Sequence, residues 1–243
     1  MADALTTRPV AAPSAMEGAY EHLKHLILTS ELPPGAELRE AALAEVTGFG
    51  RTPVRDALRR LVHEGFVEVR PRQGYRVSFV TLARVRDLFE MRLLLEPTAV
   101  ELAAQRAPQD ALEALRPLAQ EIYRPGDPRS YELFLADNRE FHVRIAQAAG
   151  NEILARTLRV LLEDMQRLFF VSLGGQRDAS EQMHEHHDLY DALIARDAAR
   201  ARAIVVTQIE ESRSRVMEAL LRVAEHPLPA AAGVVLTGVP TLP

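Results

Sequence analysis

Seven arginines, at positions 51, 55, 59, 60, 70, 72 and 76, are opposed in their stretch only by Asp56, Glu64 and Glu68. Arg51, Arg55 and Arg59 recur every fourth residue, which places their guanidinium groups along one ridge of a helix. A planar guanidinium fork suits the two acceptors of a guanine edge, or a phosphate. The whole chain, with 29 basic and 34 acidic residues, has a formal net charge of −5, so this positive charge is local. A local basic patch on an acidic chain is the footprint expected of phosphate recognition.

A second group is polar where apolar residues are expected. Asn138 and His142 share a helical face with Leu135, Ile145 and Ala149. His186 aligns with Leu189, Tyr190 and Leu193, and Gln208 with Ile204, Val205 and Ser212. Polar groups facing a helical core need partners. If these helices pack together, the four side chains converge on a small wet cavity that could hold a cation or an anion. Core side chains satisfied by their neighbours are the alternative. His184 and His187 should point elsewhere around the helix.

Several chemistries lack their residues. The chain contains no cysteine, which removes disulfides, thiolate zinc sites and cysteine nucleophiles and fits a reducing cytoplasm. HExxH, GxSxG, the P-loop and GxGxxG patterns are all missing, so a metal-dependent hydrolase is not expected. Asp137, the nearest carboxylate to Asn138, is offset by roughly 100° around the helix. No run of about 18 apolar residues suggests a membrane span, and the N-terminus lacks the apolar core of a signal peptide.

The elements that carry these residues can be read from periodicity. Met16 to Ser30 reads as a helix, broken by Pro33, Pro34 and Gly35. A short helix through Leu43 ends at Gly48, and a third begins with Thr52 as N-cap and Pro53 as first helical residue. "FVEVR", "PRQG" and "YRV" then alternate as a hairpin. Beyond Thr81, helices are expected at 82–106, perturbed by Pro97, and at 109–123, 128–149, 151–172, 180–196 and 198–223. The fold class is mainly α: a winged helix-turn-helix at 15–79 and an all-helical, ligand-binding bundle at 80–224. Loose tails are expected at 1–14 and 225–243.

In a helix-turn-helix the second helix enters the major groove with its N-terminal residues at base edges. Arg51, Thr52, Arg55 and Arg59 occupy that helix, Arg72, Gln73 and Gly74 the hairpin tip, and Arg39 the start of the preceding helix, where it could meet a phosphate. Gly74 is expected to permit close approach to DNA. The stretch "PPGAELREAALAEVTGFGRTPVRDALRRLVHEGFVEVRPRQGYRV", Pro33 to Val77, resembles the DNA-binding domain of the GntR family of bacterial transcription regulators. That resemblance implies operator contacts by Arg51, Thr52, Arg55 and the wing tip. Gly50 stands where a serine is usual.

The segments "RLLLEPTAVELAA", "NREFHVRIAQAAGN" and "EHHDLYDALIARD" resemble the effector domain of the FCD branch of that family. The resemblance implies a divalent metal, zinc or nickel, on Asn138, His142 and His186, holding a small carboxylate effector. Gln208 replaces the fourth expected ligand, a histidine. A glutamine carbonyl binds such ions more weakly than imidazole, and no protein carboxylate is expected beside them. A metal-free pocket, with Arg92, Asn138, His142, His186 and Gln208 bonding the effector directly, stays open. The combined expectation is a homodimeric regulator, a repressor, that binds double-stranded operator DNA at the nucleoid of a bacterial cytoplasm, without membrane or catalysis. A ligand-free helical dimerisation scaffold is the alternative for the C-terminal half.

Overall fold

The structure is a computed structural model, and residues 14–120, 128–173, 180–225 and 234–235 are described. Two compact units divide the chain, one with residues up to Ile27 and Gly35–Ser78, the other with Leu28–Pro34 and residues from Phe79 onward.

In the first unit, α1 (Ala15–Leu28), α2 (Glu40–Thr47) and α3 (Arg51–His63) are followed by a hairpin of β2 (Val67–Arg70) and β3 (Gly74–Val77). A two-residue β1 (Glu37–Leu38) adds an edge, giving an antiparallel sheet ordered β1-β3-β2. This is the expected winged helix. Val54, Ala57, Leu58 and Leu61 turn inward from α3 and are fully buried, so the charged residues between them are left outward. The turn between α2 and α3 uses Gly48 at φ 73°, a conformation that costs glycine little.

One local expectation fails. The N-cap of α3 is Gly50, with no side-chain cap bond, and Thr52 lies inside the helix. Pro53 is therefore the third helical residue. Its missing N–H is still harmless, because the first four helical N–H groups have no intrahelical acceptor.

The second unit is a helical bundle: α4 (Leu82–Arg106), α5 (Gln109–Glu113), α6 (Arg116–Ala119), α7 (Pro128–Ala148), α8 (Glu152–Leu173), α9 (Ser180–Ile194) and α10 (Ala198–Glu225). The single helix expected at 109–123 is two short pieces. Pro117 cannot donate to the carbonyl four residues earlier, so a continuous helix would lose a bond there. Pro97 does not interrupt α4, where it is buried. Side-chain caps set several starts: Thr81 Oγ1 accepts from Arg84 N–H (3.2 Å), Asn151 Oδ1 from Leu154 N–H (3.1 Å) and Asp197 Oδ1 from Arg200 N–H (2.9 Å). The core centres on Phe89, Phe141, Ile145, Leu189, Val205 and Ile209. β4 (Val80–Thr81) pairs in parallel with β5 (Val234–Val235), so two residues of the expected C-terminal tail carry a strand contact. The rest of that tail from residue 226, and residues 1–13 of the N-terminal one, lie outside the described residues.

Candidate nucleic-acid interface and effector pocket

Arg51 and Thr52 are exposed at the head of α3, with Arg55 one turn further along the same ridge. The guanidinium of Arg55 meets the Glu40 carboxylate, with Nε 2.9 Å and Nη2 2.9 Å from Oε2. Arg59 Nη1 lies 3.4 Å from Asp56 Oδ1, and Arg39, exposed at the N-cap of α2, lies 3.8 Å from Glu37. At the wing tip, Arg72 and Gln73 are exposed, and Arg72 adopts φ 65°.

Gly74 has a reason inside the domain as well. Its φ is +94°, and an added Cβ would stand 2.9 Å from the carbonyl oxygen of Leu38. The close approach that glycine permits is therefore to β1, inside the domain.

Two of the seven arginines belong to the scaffold. Arg76 pairs with Glu68 across the hairpin at 2.5 Å. Arg60 bonds Glu64 at 3.1 Å and Glu17 at 3.0 Å, and its guanidinium lies 3.5 Å from the centre of the Tyr20 ring. Lys24 donates to the Tyr20 hydroxyl at 2.7 Å, and that hydroxyl donates to Glu64 at 2.9 Å. Burial, helped by Glu64 and opposed by Lys24, pushes the Tyr20 hydroxyl up to about 12, so it remains a donor.

In the second unit, four of the five expected pocket residues line one cavity: Arg92 from α4, Asn138 from α7, His186 from α9 and Gln208 from α10. Arg92, His142, His186 and Gln208 are each about 5 % exposed. His142 stands behind the lining, its ring centre 5.4 Å from that of His186 and edge-on to it. Phe141 at 4.8 Å and Phe134 at 6.4 Å pack the other sides of the His186 ring. His187 is exposed, 3.7 Å from Asp191; the side chain of His184 lies outside the described residues.

The expectation that no carboxylate sits beside these groups is wrong. Glu96, 2 % exposed, accepts from Arg92 Nε at 2.5 Å and lies 3.2 Å from His142 Nδ1. Burial alone would raise its carboxyl pKa, but the charge of Arg92, with His142 and the Arg92 hydrogen bond, brings it below the ordinary value. Burial pushes both histidines down. His142 falls despite Glu96, and His186, further disfavoured by His142 and Arg92, falls to about 3. At neutral pH both imidazoles are uncharged, and Arg92 and Glu96 cancel. The contact of His142 with Glu96 is thus dipolar.

Sequence reasoning also passed over Ser212 and Arg215 as ligand-facing groups. Both line the cavity from α10, four and seven residues after Gln208 and so on its face. That spacing was the available signal.

The donor set does not fit a zinc or nickel site. Among the described residues no three His, Asp or Glu side chains gather as ligands. Besides Leu135 and Phe169, the cavity is lined by two amides, a hydroxyl, a neutral imidazole and two guanidinium groups, which can donate to anionic oxygens; its volume of about 20 Å³ is that of roughly one water.

Residues 15–77 match the model of "Bacterial regulatory proteins, gntR family", and residues 87–211 match that of the "FCD domain". The chain belongs to the GntR family, FCD branch. This GntR regulator is 30 % identical to the Nta operon transcriptional regulator of Aminobacter aminovorans, over 76 % of its own length and 86 % of the relative's. It is 27 % identical to the transcriptional repressor GlaR of Escherichia coli, over 75 % and 86 % of the two chains. The solved structure of E. coli McbR/YncC shares the fold, with TM-score 0.70 at 24 % identity, over 85 % of this chain and 99 % of that one. The GntR protein is accordingly a DNA-binding transcription regulator and not an enzyme. Among the described residues, no helix is long and apolar enough to cross a membrane.

Proposed function

We propose that this regulator represses transcription from a palindromic operator and is released, or loaded, by a small organic or sugar acid bound directly, without metal, in the α4/α7/α9/α10 cavity. The observation that carries the ligand reading is the convergence of Arg92, Asn138, His186 and Gln208, from four helices, on one buried polar cavity. Repression is supported by the likeness to GlaR, whose name describes a repressor. Operator contact is assigned to Arg39, Arg51, Thr52, Arg55, Arg59 and the Arg72–Gln73 tip. The protein works at the nucleoid in the bacterial cytoplasm.

Regulators of this family commonly act as dimers, and a twofold pair matches a palindrome. The surface assigned to the second copy is the outer face of α4 and α8. Of the seven large hydrophobic side chains exposed among the described residues, four are there: Met91, Leu94, Ile153 and Val160. Met91 and Val160 line a cleft of about 490 Å³ that also includes Asp87 and Arg156. Arg84 pairs with Asp164, and Ala99, further along α4, clusters with Leu154 and Ala155, earlier in α8, so the two helices run antiparallel.

The test is thermal melting of the full chain against a panel of small carboxylates, with and without EDTA. A ligand at about 100 times its Kd stabilises by roughly 2.7 kcal/mol. Stabilisation that survives EDTA and is lost in Gln208→Leu is expected. Stabilisation abolished by EDTA points to a metal instead, and no response to any acid points to a ligand-free scaffold. For allosteric control the ligand must bind DNA-competent and released states with different affinity, so it should change operator affinity by the same factor by which DNA changes its own. Arg51→Ala should lose specific DNA binding while keeping the ligand response.

A further inference from the structure

The GntR regulator's Arg55 is held by Glu40, a residue of α2 that nothing above assigns to DNA reading. The carboxylate takes Nε (3.1 Å to Oε1, 2.9 Å to Oε2) and Nη2 (2.9 Å to Oε2) of Arg55. This is a side-on pairing. It occupies one edge of the guanidinium and leaves the end-on edge, Nη1 with the outer N–H of Nη2, for another acceptor pair. Glu40 is fixed in turn: it is the first residue of α2, where a carboxylate is favoured by the helix dipole, and the pairing with Arg55 and the Tyr75 hydroxyl group nearby both lower its carboxyl pKa. The carboxylate thus links α2 to α3.

An arginine on the ridge of a recognition helix has two competing targets. Phosphates attract it wherever they lie, and carry no sequence information. A guanine edge requires two N–H groups in a fixed plane. A fixed carboxylate beside Arg55 favours the second target in two ways. It sets the plane of the guanidinium before DNA arrives, and its negative charge opposes an approaching phosphate.

We propose that Glu40 is a specificity-determining positioning residue, which holds Arg55 side-on so that its free end reads a guanine edge and does not drift to a phosphate. The proposal rests on the assignment of Arg55 to operator contact.

The test uses the full-length protein and a randomised duplex library. Wild type selects a motif, and each base pair of that motif is then varied singly while affinity is measured between about 50 and 200 mM salt. Arg55→Ala identifies the base pair that Arg55 reads. Glu40→Gln, with a melting temperature like that of wild type, should lose about tenfold of the preference at that same base pair, consistent with one guanine contact. It should also bind a random-sequence duplex more tightly, with the slope of log affinity against log salt steeper by about 0.9 for one new phosphate contact. Unchanged preference and slope in Glu40→Gln overturn the proposal, leaving Glu40 as a helix-terminal acid. Equal loss on selected and random duplexes overturns it too. If Arg55→Ala selects the wild-type motif with undiminished preference, the assignment of Arg55 fails first, and that outcome is distinguishable from the other two.

Discussion

The histidine that lines the α4/α7/α9/α10 cavity should make this protein sensitive to mild acid. His186 has an ordinary pKa of 6.5 and is pushed down to about 3 in the folded chain. The folded state therefore holds its imidazole neutral while the unfolded chain takes up a proton, and stability falls as pH drops below 6.5 towards 3. One proton of difference is worth about 1.4 kcal/mol per pH unit, so His186 alone removes roughly 2 kcal/mol between pH 6.5 and 5. Glu96 does not interfere in this window. Its carboxyl is lowered from 4.5, so the stability it contributes is lost only at lower pH. His142 is shifted in the same direction as His186 and adds to the wild-type slope. The perturbation is His186→Gln, which keeps a neutral polar group without a titrating proton. Chemical denaturation of the full chain, followed by far-ultraviolet circular dichroism at pH 7.5, 6.5, 5.75 and 5, gives stability at each pH. The variant's slope below pH 6.5 should be shallower than that of wild type by about one proton, whatever its stability at pH 7.5. Equal slopes would refute the neutral, desolvated state assigned to His186.

Glu96→Ala strands the buried Arg92 guanidinium and should destabilise the helical unit by about 3–5 kcal/mol, read as a lowered denaturation midpoint; a cost under about 1 kcal/mol would mean that Arg92 finds other partners. Gly74→Ala forces a Cβ against Leu38 in a left-handed conformation and should cost about 1–3 kcal/mol of winged-helix stability, with DNA affinity preserved once the variant is folded; selective loss of DNA affinity would restore the groove-approach role. Val160→Glu should shift sedimentation from dimer to monomer; unaltered sedimentation in that variant would place the second copy elsewhere.

How far the sequence predicted this structure depended on the kind of signal. Winged helix and helical bundle were legible because apolar spacing and Pro/Gly breaks report burial and chain direction. That Asn138, His186 and Gln208 would share one cavity was legible because each interrupts an apolar stripe with a polar group. Glu96 was not, because an Arg92–Glu96 pair one turn apart reads equally well as a solvated surface pair. Only packing against α7 reveals that both are buried. The cap of α3 failed for a related reason: Thr52 is the better capping residue, yet the turn after Gly48 places Gly50 at the cap position. Parallel pairing of β4 with β5 spans only two residues on each side, too few for a periodic signal.

The Tyr20–Lys24–Glu64–Arg60 cluster has a consequence for how such a regulator can be tuned. It fastens α1 to the far end of α3, the end opposite Arg51 and Arg55. The helix is clamped at its heel, while the residues proposed to meet bases, Arg51 and Arg55, lie at its toe. On that proposal the two ends can be altered separately: substitutions at the toe change which operator is chosen, and substitutions at the heel change how firmly the helix is held.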